Sequence, residues 1–189
     1  MCQFIESIKL KDAIVYHLEW HQKRVNESFK TFFPNSPILI LDDLIQNIPT
    51  EGFYKIRIVY NDQQHTVEFQ KYSPKEIQSF ELIEVDFDYN FKFENRQKIN
   101  QLKEKSTADE VIFTKNNNIL DSSYSNLAFY DGKYWFTPTS YLLNGTTRQR
   151  LIAENELIET TITKNDLNKY EKVSFINALN DLNENCLEL

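Results

Sequence analysis

FKFENR (91–96), ADEVIF (108–113), ILDSSYSNL (119–127), and FTP (136–138) with LNGTTR (143–148) follow one another through the second half of the chain. Each piece sits where the local pattern changes. Glu94–Lys105 is polar with helical spacing, so a helix is expected there. Val111–Thr114 reads as a strand, and the run Asn116–Asn118 after it is a turn signal. Ser125–Phe129 and Tyr134–Phe136 read as strands joined by an Asp131-Gly132 turn. Gly145 leads into a helical stretch, Thr146–Ala153. Ile158–Thr163 reads as extended, and Val173–Leu179 is ambiguous.

Working towards the N-terminus, Phe4–Leu10 alternates apolar and polar residues and is expected to be a strand. Leu18, His21, Val25, Phe29, Phe32 and Phe33 recur at helical spacing, so Leu18–Phe33 is expected to be a helix that Pro34 ends. Ile38–Ile48 is a shorter helix candidate, and 49–52 is a turn. Phe53–Tyr60, His65–Lys71 and Phe80–Asp86 read as strands, the first two joined at Asn61-Asp62. Helices and strands mix without a strict βαβ rhythm, which defines an α+β class. The pattern changes near residues 87–92. A smaller domain of residues 1–88 and a larger one of 89–189 are therefore expected.

The 189-residue chain is 41% hydrophobic and 26% charged, an ordinary globular composition. With 21 Lys+Arg against 28 Asp+Glu, the net charge of −7 argues against binding nucleic acid through a basic face. There are three glycines, Gly52, Gly132 and Gly145. They cannot spell a G-x-G-x-x-G fingerprint or a P-loop. The longest apolar run, Ile38–Leu41, is too short to span a bilayer. MCQFIESIKLKDA (1–13) has no basic segment followed by an apolar one, so no signal peptide and a cytoplasmic location are expected.

Several kinds of site are disfavoured. His17 and His21 stand at i and i+4, but Leu18 occupies the place where a zinc protease carries glutamate, and only His65 remains as a third histidine. No metal is expected. No G-x-S-x-G marks a serine nucleophile. Cys2 and Cys186 lie near the termini, a poor place for a held nucleophile.

Taken in order and spacing, the four pieces resemble the class IV (fold-type IV) pyridoxal-phosphate-dependent aminotransferases. That family includes branched-chain and D-amino-acid aminotransferases and 4-amino-4-deoxychorismate lyase. Lys-x-x-Asn-Arg (92–96) and Ala-Asp-Glu (108–110) look closest to the lyase branch. Upstream, Phe4-Ile-Glu6-Ser7 is similar to the family's early strand, and His21-Gln-Lys-Arg24 to its H-x-x-R helix.

The resemblance implies a D-amino-acid aminotransferase-like fold of two α+β domains, shortened at the N-terminus, with the cofactor in the cleft between them. It implies a homodimer whose partner chain helps to close the site. Lys92 would link covalently to pyridoxal phosphate and move the proton at the substrate α-carbon. A cofactor of this kind needs an amine, and lysine supplies it. Asp121 stands where the family carries a glutamate in E-x-x-x-x-N, with Asn126 five residues on. A carboxylate there keeps the ring nitrogen protonated. Asp is one methylene shorter, so ring or strand must shift to keep contact. Thr146 and Thr147, at a helix start behind Gly145, would hold the phosphate together with Arg24. Arg148 would support that loop. Arg57 and Tyr124 are the substrate-side candidates, because an arginine is the natural anchor for a carboxylate.

The expected reaction is conversion of 4-amino-4-deoxychorismate to 4-aminobenzoate and pyruvate, a step in folate biosynthesis. The alternatives are an amino-acid aminotransferase of the same family and a cofactor-free relative acting as a binding protein. The implied partners are a small-molecule substrate and a second copy of the chain, with neither nucleic acid nor membrane.

Overall fold

The computed structural model describes residues 2–189. By internal packing the chain divides into two compact units, Met1–Ser73 with Phe91–Asn95, and Pro74–Asn90 with Arg96–Leu189.

The first unit runs β1 (Phe4–Lys11), β2 (Ile14–Val15), α1 (Leu18–Phe32), α2 (Leu41–Leu44), β3 (Phe53–Tyr60) and β4 (His65–Lys71). Its strands form one antiparallel sheet in the order β2-β1-β3-β4. Alternation along β1 sends Phe4, Glu6, Ile8 and Leu10 inward, all fully buried. The buried face of α1 carries His21, Arg24, Val25, Ser28 and Phe29, spaced three and four apart. The core joins Phe4, Val25, Phe29, Ile56, Ile58 and Tyr60, and Phe91 and Phe93 pack against it.

The helix expected over Ile38–Ile48 is a single turn. The cause is Gln22 of α1. Its amide nitrogen donates to Leu39 O at 2.9 Å, and its Oε1 accepts from Leu41 N at 2.8 Å, which holds the chain extended up to Ile40.

In the second unit β5 (Phe80–Glu84) is followed by α3 (Gln97–Lys105), β6 (Glu110–Lys115) and β7 (Asn118–Ser122). These strands form a sheet in the order β5-β6-β7, with β5 and β6 parallel. Asn116 and Asn117, at φ 50° and 70°, make the tight β6–β7 turn, and such left-handed residues suit a hairpin. Strand β7 is not expected from the sequence, which reads as an Asn-rich turn leading into polar residues.

Next come β8 (Asn126–Tyr130), β9 (Trp135–Pro138), α4 (Thr146–Ala153), β10 (Ile158–Thr160), a 3-10 turn (Lys164–Lys169), β11 (Lys172–Ile176) and β12 (Cys186–Glu188). They build a five-stranded sheet in the order β10-β9-β8-β11-β12. Strand β5, which precedes residues 87–92, pairs with β6 of the second unit. Phe91–Asn95 joins the first unit instead, where Lys92 O accepts from Ile5 N at 3.0 Å and Phe93 bridges to Phe4. Among the described residues, no helix is long and apolar enough to cross a membrane.

Candidate active site

In the first unit the polar centre is Glu6. It lies at 0% exposure among apolar β1 neighbours, and a carboxylate survives there only with partners. Arg24 Nε donates to Glu6 Oε1 at 2.8 Å and Arg24 Nη2 to Oε2 at 2.5 Å, a two-pronged pair. His21 Nδ1 lies 2.6 Å from Glu6 Oε2. Burial alone would push Glu6 up, but the charge of Arg24 and the bonds from Arg24 and His21 outweigh it and hold the carboxyl well below its usual range. An ionised Glu6 only accepts, so His21 Nδ1 carries the proton. Burial lowers the His21 pKa, the charges of Arg24 and Lys92 push the same way, and Glu6 opposes them. Lys92 therefore stands close enough for its charge to act on His21. Phe91 and Phe93 on either side join the aromatic cluster around Phe4, with Phe93 at 5.3 Å and Phe91 at 6.4 Å between ring centroids.

Arg57 on β3 points its Nη2 at Glu94 Oε1, 3.1 Å away. That pair is partly exposed. Among the described residues no group of three or more His, Cys, Asp or Glu side chains could hold a metal. His17, at φ 55°, precedes α1 and is not on a shared helix face with His21.

In the second unit the centre is Asp121 on β7. Its Oδ2 accepts from Leu142 N at 2.9 Å and Leu143 N at 2.8 Å, and its Oδ1 accepts from Asn126 Nδ2 at 2.6 Å. Burial nevertheless pushes Asp121 up to about 7, against the pull of those donors and of Arg148. Asn126 extends the chain of bonds, since its Nδ2 also donates to Leu143 O and its Oδ1 accepts from Gly145 N. Asp121 and Asn126 thus fix the loop that leads into α4. A Cβ on Gly145 would overlap Asn126 Oδ1, so only glycine allows this approach.

Behind Gly145, α4 opens with Thr146, Thr147 and Arg148, all buried. Among the described residues, no side chain caps this helix start. Its first N–H groups and the positive end of its dipole suit an anion. Arg148 donates to Asn144 Oδ1 and Pro138 O at 3.0 Å and pairs with Glu159 at 2.5 Å. It supports the loop, as its position in the motif implies.

The loop 123–125 between β7 and β8 is also pinned. Ser123 Oγ donates to buried Glu110 at 2.6 Å, which accounts for the glutamate of the Ala-Asp-Glu piece. Arg96 Nη2 donates to Ser123 O. Tyr124, at the tip, lies under the Arg96 guanidinium, 4.2 Å from ring centroid to Cζ. The role of Arg96 is not evident in the sequence. The only signal is that it closes the Lys-x-x-Asn-Arg string.

Taken unit by unit, the residues carry donor types that pyridoxal phosphate would need: an amine at Lys92 in the first, and in the second a buried carboxyl at Asp121 and a helix start behind Gly145 that no described side chain caps. Arg24 and Asp121 already have protein partners, since Glu6 holds Arg24 and both Asp121 oxygens accept hydrogen bonds.

The sequence profile of the family described as "Amino-transferase class IV" matches residues 92–182, the stretch that carries Lys92, Asp121, Asn126 and the α4 start. The chain belongs to the class IV aminotransferase family. It is 31% identical over 189 residues to an uncharacterized protein of Haemophilus influenzae, covering 96% of this chain and 100% of that one. Among solved structures it is similar to one from Haemophilus somnus 129PT, provisionally assigned as a 4-amino-4-deoxychorismate lyase. The TM-score is 0.90 at 28% identity, over 96% of this chain and 98% of that one. It also shares the fold of a hypothetical aminotransferase of Mycobacterium tuberculosis in its PLP-bound form. There the TM-score is 0.76 at 14% identity, over 94% of this chain and 78% of that one.

Proposed function

We propose that the chain is a pyridoxal-phosphate-dependent lyase that converts 4-amino-4-deoxychorismate to 4-aminobenzoate and pyruvate for folate biosynthesis. The observation that carries this reading is its likeness to the Haemophilus somnus structure along nearly the whole of both chains. The cofactor, when bound, supplies an electron sink for the pair left at a substrate carbon when a bond to it breaks.

The chain's own residues have distinct tasks. Lys92 would hold the cofactor through its amine and, as a free amine, would take the proton from the substrate carbon beside the substrate amine. Its amine must be uncharged to do so. Asp121, as the carboxylate, keeps a proton at the ring nitrogen through its charge. Thr146 and Thr147 hold the phosphate through the α4 N–H groups and their hydroxyls, and Asn126 fixes the loop that presents them. Arg24 adds a charge to the phosphate side, and Glu6 orients it. Tyr124 lines the substrate side. Arg57 would have to leave Glu94 to reach a substrate.

Incubating the holoprotein with 4-amino-4-deoxychorismate tests the reading. Release of pyruvate and 4-aminobenzoate in equal amounts, lost in Lys92→Ala, supports it. Amino transfer from an amino acid to a keto acid, without pyruvate release, would make the chain an aminotransferase instead.

A further inference from the structure

The five arginines of the chain differ in one respect. Arg24 pairs with Glu6, Arg57 with Glu94, Arg148 with Glu159, and Arg150 with Glu154 and Asp181. Among the described residues, Arg96 alone has no carboxylate partner. Its contacts are the Ser123 carbonyl, which takes one N–H, and the Tyr124 ring beneath it. A partly buried guanidinium without a counter-ion keeps its charge and most of its donors for something else.

The surroundings are built rather than loose. Ser123 is tied to Glu110, Ser125 N donates to Ser122 Oγ at 3.1 Å, and Asn177 Nδ2 donates to Ser125 Oγ at 2.9 Å. On this pinned backbone Tyr124 is left 60% exposed. An aromatic ring held out on a rigid loop, with a cation stacked on it, is a preformed platform for a planar anion. The loop also joins Asp121 to Asn126, the two residues assigned above to the cofactor ring and the phosphate loop.

We infer that Arg96, stacked on Tyr124, anchors the substrate carboxylate. The inference rests on the class IV reading of the site and names the ligand chemistry of that same site. It gives the carboxylate to Arg96 rather than to Arg57, whose charge Glu94 already meets. The substrate class it implies is a small amine bearing a carboxylate, which 4-amino-4-deoxychorismate and amino acids both satisfy.

The test uses holoprotein and two acid–amide pairs, 4-aminobenzoate with 4-aminobenzamide and alanine with alaninamide, with binding read by calorimetry. The wild type is expected to prefer each acid by about 10- to 100-fold, the size of a charge-assisted contact. Arg96→Gln is expected to lose that preference while still taking up pyridoxal phosphate. Tyr124→Ala, a change at an exposed side chain that leaves folding intact, is expected to weaken acid binding several-fold and amide binding little. A wild type without acid preference, or an Arg96→Gln variant that keeps it, would overturn the inference. A wild type that takes up no pyridoxal phosphate would instead overturn the class IV reading on which it rests.

Discussion

Glu6 and Asp121 are both buried carboxyls, yet their environments drive them in opposite directions. Glu6 faces a guanidinium and stays ionised. Asp121 faces the dipoles of Leu142 N, Leu143 N and Asn126, and burial raises it to about 7. Each makes a prediction. Glu6→Gln leaves the Arg24 charge buried without its partner, and urea denaturation should show a loss of about 3–5 kcal/mol. For Asp121 the sign follows from proton counts. The folded chain keeps this proton to about pH 7, while an unfolded aspartate releases it near 3.8. Between those values the folded state binds more protons, so stability falls as pH rises. Across pH 5 to 8 the apoprotein should lose on the order of 2 kcal/mol from this group, and Asp121→Asn should flatten that slope. At this scale the sequence singles out Arg24, Lys92, Asp121 and Asn126 as candidates by motif. It could not show that Glu6 occupies Arg24, because that pair joins a strand residue to a helix residue 18 positions away.

Most elements were legible where local pattern decides them. Strands β3 and β4 carry their apolar period in full, α1 its buried stripe, and α4 its Gly145 start. Strand β7 was not legible. Its residues Ile119 to Ser122 are buried throughout, so no alternation marks them, and Asp121 and Ser122 read as turn formers until their partners are known. The one-turn helix at Leu41–Leu44 was misread for a related reason, because Gln22 supplies the bonds that stop it from extending. The junction of Gly145 and α4 makes the prediction at this scale. Gly145→Ala forces Asn126 or the loop aside, at a cost of about 1–3 kcal/mol. Pyridoxal phosphate affinity should fall about tenfold, read by fluorescence titration. Asn126→Ala in the same chain removes the overlapping oxygen, so the two changes should be non-additive by about 0.5–3 kcal/mol.

For the whole molecule, the residues assigned to the site divide between the units. Arg24, Arg57 and Lys92 belong to the first, and Asp121, Tyr124, Asn126, Thr146 and Thr147 to the second. The chain leaves the first unit after Ser73, returns for Phe91–Asn95 and leaves again before Arg96. Local pattern carries no trace of that path. The partner of β5 is β6, about 30 residues on, and the partner of Phe93 is Phe4, near the other end of the chain. The proposed function depends on Lys92 carrying the cofactor covalently. The most direct test is an absorbance spectrum of the purified protein with added pyridoxal phosphate, before and after borohydride, followed by peptide mapping. A visible band should appear that borohydride abolishes, leaving a pyridoxyl adduct on the peptide bearing Lys92, with neither in Lys92→Ala. A protein without the band, or with the adduct on another lysine, would contradict the account.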